Sequence, residues 1–473
     1  MFSNELWQKS GVSTYSIDQS IRFNAAENAY MHRTPSSTGN RKTFTSSFWV
    51  KLGNVQVNTA LPTPQVTHGV GSSGLFLNTS GVLQAYTYYS GSWSGLLITN
   101  RVFRDPSAWY HFVYIVDSTQ AVASERIRIY VNGVRETSFS TESYLAQNQD
   151  TDWNLSGEKM WIGRDGSGSG YDGEYYAAEI HFLDGYAYGP EYFGETNNNG
   201  IWVPKEYDGS YGTNGFYIDG RDSSDLGDDE SGNGNDFTTS GLASHDQVSD
   251  SPTNNFCTIN PIYRGSSSTA QHYGLVSNGN LFIEHNGAHD GGQLCTQLFE
   301  SGKWYWEVYI KAGGNSSSYQ LGSGIAAVNN GYTKSDGRNE GAQTGEIGFN
   351  SYNGVVMFAN STTKTYTEVP FLDTNIIQVA VDADNGAIYY GKNGTFMGSG
   401  DPTSGSSKTN AGATWTPASY SGGWVPTTYV GGGSTPEIFI NFGQEGTFAG
   451  NITAGGNSDA NGVGNFKYSV PSG

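Results

Sequence analysis

Apolar and polar residues alternate with a period of two along most of this chain. In Lys42–Leu52, KTFTSSFWVKL, Phe44 and Phe48 share one parity and Trp49 marks a shift. Trp109–Asp117, WYHFVYIVD, reads as a strand buried on both faces. Ile127, Ile129 and Val131 alternate with Arg126, Arg128 and Tyr130, and in Glu174–Ala187 Ile180 and Phe182 share a face. No comparable run places apolar residues at i, i+3, i+4 and i+7, the helical signature. Alternation at two predicts half-buried strands. Their regular spacing, with turn residues between, predicts an all-β fold of sandwiches or jelly rolls. Two runs, IRIYVNGV and IYYGKNGTF, break at Asn132-Gly133 and Asn393-Gly394. Asn-Gly is the favoured pair for a two-residue hairpin, because both positions need positive φ.

The pattern lapses over 219–260, where Gly, Asn, Asp and Ser dominate. It resumes at Leu281 and continues through Gly302–Ala312, Gly324–Val328, Gly345–Asn360, Ile376–Gly394 and Pro436–Gly443. In WYWEVYI both faces are expected to be partly covered. The chain therefore divides into a β domain at 1–220, an acidic Gly/Asn/Ser-rich linker at 221–262, a β domain at 263–450 and a C-terminal extension at 451–473.

Composition narrows the function. The formal net charge is −20, which repels phosphate backbones, so nucleic acid is not an expected partner. Aromatic residues make up 14% of the chain, enough for large apolar faces, so disorder is not expected. The two cysteines, Cys257 and Cys295, have neither CxxC spacing nor a nearby histidine at ligand spacing, so they do not read as a metal site. The opening MFSNELWQKSGVSTYS lacks a basic segment followed by an apolar one, so no signal peptide is expected. No apolar run is long enough to insert in a membrane.

The order of motifs carries more. SIRFNAAENAYMHRTPSSTGNRKTFTSSFWVK, WYHFVYIVD, IRIYVNGVRE and MWIGRDGSGSGYDGEYYAAEIHFLDG, over roughly 15–220, resemble a laminin-G-like domain of the concanavalin A-like lectin/glucanase type. SGKWYWEVYI, GSGIAAV, IIQVAVDADNGAIYYGKNG and IFINFGQEGTF, over roughly 265–450, resemble a SPRY domain. Both families are two-sheet jelly rolls. The pairing, with its acidic joint, resembles large virion proteins of tailed bacteriophages, such as tail-fibre, appendage or minor structural proteins. That resemblance implies a non-enzymatic virion component, assembled in the host cytoplasm and released by lysis. It would attach to a host-surface glycan or protein and associate with other virion proteins and with copies of itself. The alternatives are a free lectin and a glycan hydrolase.

A hydrolase needs paired carboxylates. Glu174, Glu179 and Asp184 are spaced by five and five, so on a regular strand neighbours in this set face opposite ways, and no catalytic residue is expected. His285 and His289 read as a surface turn. Asp228, Asp229, Asn233, Asn235 and Asp236 are candidate Ca²⁺ ligands, since oxygen-rich flexible loops suit hard cations; no other cofactor is implied. Tyr88, Tyr89 and Trp93 are candidate sugar contacts, because aromatic faces stack on C–H faces of sugars. Tyr332, Arg338 and Trp424 are candidate partner contacts in loops of the SPRY-like half.

Overall fold

Strands, short 3₁₀ turns and loops make up the computed structural model. It describes residues 15–55, 57–68, 71–90, 92–166, 171–262, 274–285, 291–314, 319–328, 345–420, 422–432 and 436–472. It divides into one unit at Asn4–Asn255 and a second that takes in Phe256–Gly473. Each is an all-β sandwich.

In the first unit, one sheet runs Val134–Arg135, Ile127–Val131, Trp109–Asp117, Thr43–Leu52, Tyr175–Asp184, Ser20–Phe23 and Gln247–Val248, all antiparallel. The facing sheet runs Phe139–Ser143, Ser92–Val102, Val82–Tyr89, Gly71–Leu77, Gln65–His68, Met160–Ile162, Tyr30–Arg33 and Thr238–Ser240. Phe44, Phe48, Val50 and Leu52 point into the core between them. Parity therefore holds through Thr43–Leu52, and Trp49 belongs to the opposite face. It is buried there as well, because that face is covered.

The cover explains the burial of both faces. The segment between Asp184 and Phe216 folds back over the first sheet, packing Phe193, Tyr207 and Tyr211 on Val113, Ile115 and Leu183. Beneath it lies a row of cross-strand neighbours: Trp109 opposite Lys51, Lys51 opposite Tyr176, Tyr176 opposite Arg22. Both cations are fully buried. Arg22 Nη2 lies 3.1 Å from Asp246 Oδ1, and Lys51 Nζ lies 2.7 Å from Asp250 Oδ2, with all four side chains 0% exposed. A buried charge costs several kcal/mol unless it is paired and hydrogen-bonded.

Those counterions come from the stretch expected to be a linker. Up to Asn255 it belongs to the first sandwich. Thr238–Ser240 pairs with Tyr30–Arg33, Gln247–Val248 pairs with Ser20–Phe23, and Leu226 and Phe237 enter the core. Its acidity is the complement of two buried cations, which composition alone does not distinguish from solvation.

His111 sits in the same covered layer, stacked on Trp49 with ring centroids 4.7 Å apart. Trp202 Nε1 donates to His111 Nδ1 at 3.0 Å. Indole N–H only donates, so the ring proton is on Nε2, which donates to Ser47 Oγ at 2.9 Å. Burial, and then the neighbouring His181, push the His111 imidazole down to about 3.

The second unit pairs an eight-stranded sheet, with Lys303–Ala312 and Ile376–Asp382 at its centre, with a six-stranded sheet. Tyr305 through Ile310 are all buried, so both faces of this strand are covered, further than the partial cover expected from WYWEVYI. The C-terminal extension packs on the outside of the larger sheet. Glu307 Oε2 accepts from Lys467 N, and Oε1 from Tyr468 N and Tyr305 Oη, all at 2.8 Å. A buried carboxylate again captures a segment outside the sheet.

The two Asn-Gly turns share one device. Asn132 and Gly133 have φ of 49° and 78°, and Asn393 and Gly394 have 51° and 93°. Asn132 brackets His111, donating from its N–H to the carbonyl and accepting at Oδ1 from the amide; Asn393 does the same to Ile376.

Three outcomes follow from this packing. Asp246→Ala strands the Arg22 guanidinium, and urea denaturation should show a loss of about 3–5 kcal/mol. A Cβ on Gly133 would lie 2.5 Å from the Trp202 ring, and one on Gly394 2.9 Å from Tyr468. Gly133→Val and Gly394→Val should each cost roughly 2 kcal/mol in the same assay, ahead of any effect on ligand binding. For His111 the folded value is depressed from 6.5 to about 3, so the unfolded state binds the extra proton between them. Its contribution is complete above pH 6.5 and is lost as pH falls toward 3. Stability measured over that range should fall less steeply in His111→Gln, by up to about 1.4 kcal/mol per pH unit.

Candidate aromatic binding face

Among the described residues the facing sheet of the first sandwich has no such cover, and alternation decides what it shows. Leu83 and Ala85 point into the core, so Tyr86 points out. Tyr88, two residues on, shares that side, and a bulge at Ser94 in the partner strand brings Trp93 opposite it. Trp93, directly opposite Tyr88, packs edge-on against it with centroids 5.0 Å apart and lies 4.8 Å from Tyr86. Phe76 extends the cluster, 5.5 Å from Tyr86 and 5.3 Å from Tyr171. Trp93 is 58% exposed, a large apolar ring held out by packed neighbours.

Across the same face, Trp161 lies opposite His32 with rings 4.9 Å apart, and Tyr30 lies 5.7 Å from Trp161. Lys159 Nζ is 5.0 Å from the Trp161 ring, and the Arg164 guanidinium 4.4 Å from that of Tyr30. Burial, and then Lys159, lower the His32 imidazole below its ordinary value. Between the two aromatic groups, Gln65 Nε2 donates to the carbonyls of Leu61, Thr63 and Leu75 at 3.0–3.2 Å. Its side chain occupies the space where a Cβ on Gly74 would lie, 1.6 Å from Oε1. The result is two aromatic groups separated by a low polar step, a shape that suits an extended ligand with apolar and hydroxylated faces.

Tyr88, Tyr89 and Trp93 do not act together. Tyr88 is 5% exposed and supports Trp93. Tyr89 turns away, with Arg41 5.7 Å from its ring. Trp424 is a correction: at 2% exposed it lies in the second core against Trp415 and Tyr420, because it belongs to the Trp424–Gly432 strand and not to a loop. Tyr332 and Arg338 fall outside the described residues. Phe76, Tyr171, Trp161, His32 and Tyr30 were not found from sequence. Only Tyr86 carried a local signal, its parity opposite Leu83 and Ala85.

Three of the five candidate Ca²⁺ ligands, Asp229, Asn235 and Asp236, have oxygens engaged by the protein. Asp229 accepts from Tyr217 N, Ser231 N, Ser231 Oγ and Asn235 N at 2.8–3.0 Å. Asp236 accepts from Asp229 N, and Asn235 Oδ1 from Arg33. Asn233 Nδ2 donates to the carbonyls of Gly212 and Gly215, while Asp228 is exposed. Backbone and side-chain donors around Asp229 organise this part of the loop and occupy both of its carboxylate oxygens.

The three strand carboxylates are similarly engaged. Glu174 accepts from Ala25 N at 3.1 Å, and Asp184 from Asn40 N, Asn154 Nδ2 and Asn214 N. Glu179 lies at a bulge with φ 52°, so the strand is not regular there and the parity expected from even spacing breaks. Tyr217 and Tyr15 hydroxyls donate to it at 2.6 and 2.8 Å, and His181 Nε2 lies at 3.3 Å. Burial pushes the Glu179 carboxyl up, but His181 and the two hydroxyls outweigh it and hold it below its ordinary value.

Residues 25–184 match the family model of the concanavalin A-like lectin/glucanases superfamily, and residues 303–440 match that of the SPRY domain. No curated protein matches the chain. Among solved structures, the SPRY domain of human HERC1 is 18% identical, over 35% of this chain and 91% of that one, with a TM-score of 0.26. A heptameric SAP-like pentraxin from Limulus polyphemus is 13% identical, over 37% of this chain and 80% of that one, with a TM-score of 0.28. The two family matches suggest a carbohydrate- or protein-binding role. The chain carries a concanavalin A-like jelly-roll domain followed by a SPRY domain.

Proposed function

We propose that this chain is a non-enzymatic attachment protein of a tailed-phage virion, and that it takes host-surface carbohydrate on the aromatic face of its first domain. The observation that carries the binding reading is the asymmetry of the first sandwich. One sheet is sealed beneath a tyrosine-rich cover, while the other presents Trp93 and Tyr86, backed by the buried Phe76, and Trp161 and His32, with no such cover among the described residues. Sugar C–H faces stack on such rings. Weak sites repeated on a particle reinforce one another, so a shallow face suffices. The virion context is supported by the order of the two domains and the acidic stretch between their motifs. In this reading the SPRY domain contacts other virion proteins, and copies of the chain associate. A role other than catalysis is supported by the engagement of Glu174, Glu179 and Asp184 in tying loops to strands.

Two measurements test the two halves of the proposal. On a glycan array the full chain should bind, and Trp93→Ala should lose at least about tenfold in affinity with an unchanged melting temperature. An array without hits, or equal binding by the variant, would sink the carbohydrate site. Mass spectrometry of purified particles should find the protein, and its absence would remove the virion assignment.

A further inference from the structure

The covered face of the first domain holds an arrangement that binding does not use. Lys51 Nζ lies 2.7 Å from Asp250 Oδ2 and 2.8 Å from Asn255 Oδ1. The Asn255 amide is oriented by a second contact, since its Nδ2 donates to Ser107 O at 2.8 Å. Its carbonyl oxygen therefore faces the amine, and its nitrogen faces away. Asp250 Oδ1 accepts from Trp109 Nε1 at 3.0 Å, which fixes the carboxylate. Lys51 and Asp250 side chains are 0% exposed. Trp49, Trp109, Tyr176, Val248 and Ile17 pack around this face, with the Tyr176 ring 5.9 Å from Nζ.

A buried amine and carboxyl with a part-buried carboxamide held against the amine are the components of a transamidation. We propose that Lys51 and Asn255 become joined by an isopeptide bond, with Asp250 carrying the proton. A proton passes along the 2.7 Å hydrogen bond from Nζ to Asp250 Oδ2, leaving a neutral amine beside a neutral acid. The Nζ lone pair adds to Asn255 Cγ, and the carbonyl π pair moves to Oδ1, where the acid proton of Asp250 meets the developing charge. The intermediate collapses, the Cγ–Nδ2 bond breaks, and Nδ2 leaves with the protons shed by Nζ. One C–N bond forms and one breaks. Lysine ammonium and carboxamide become a secondary amide and one ammonium ion, Asp250 ends as the carboxylate it began as, and nothing is oxidised or reduced. Fixed proximity supplies the rate that such an exchange lacks between free molecules.

The bond has a mechanical consequence. Asn255 is the last residue of the first unit, and Lys51 lies in the Thr43–Leu52 strand. The cross-link ties the point where the chain leaves the domain to a central strand, in the manner of a disulfide closing a long loop.

Intact mass spectrometry of the purified full chain tests this directly. The expected mass is that of the sequence less one ammonia. Trypsin should fail to cut after Lys51, and a branched peptide should join the segments containing Lys51 and Asn255. Asn255→Ala should restore the full mass of its own sequence, and so should Asp250→Ala if it folds. Full mass with linear peptides in the unaltered protein, or an ammonia deficit that maps to another residue, overturns the proposal. A deficit that persists in folded Asp250→Ala overturns the role given to the carboxyl.

Discussion

Tyr176 has a buried cation on either side of it, Arg22 on one neighbouring strand and Lys51 on the other. Neither can be left without a counterion out of water. Asp246 and Asp250 meet that requirement, and to reach the cations the chain must cross the outer face of the sheet. The path of residues 221–255, the two short strands they add and the point at which the first domain ends follow from this pairing. Paired buried charges of this kind add little net stability over an apolar core, but they are strict about partner and register.

The same constraint separates the two faces of the first sandwich. A sheet that carries Lys51, Arg22, His111 and Glu179 outward must be roofed: the excursion between Asp184 and Phe216 covers part of it and gives His111 the Trp202 donor, Tyr217 serves Glu179, and residues 246–255 serve the two cations. Among the described residues the opposite sheet carries no buried ion pair on its outer face, and it leaves rings such as Trp93 in solvent. The binding face is thus the counterpart of the sealed one. The second domain applies the same logic on a smaller scale, with Glu307 holding the C-terminal segment through two backbone amides.

Much of this was legible in the sequence. Strict alternation marked the strands, and the two Asn-Gly pairs marked tight hairpins, because period and turn chemistry are local properties of the backbone. The order of motifs gave both domain types. The candidate site was legible only in part. Trp93 was found, but Phe76 and Tyr171, which extend its cluster through Tyr86, are brought there by strand pairing and a distant loop. Trp424 and the acidic loop were misread for one reason: an aromatic near a turn, or an aspartate in a glycine-rich stretch, looks the same in sequence whether it faces solvent or the protein.

The sequence by itself determined the all-β class, the two sandwiches and their turns, since these depend on residues close together in the chain. Only the tertiary structure decided where the first domain ends and which sheet face stays open. Both depend on charge pairs far apart in the chain, Arg22 with Asp246 at 224 residues and Lys51 with Asp250 at 199. Desolvation acts on the position a side chain reaches in space, and composition and spacing carry no record of it.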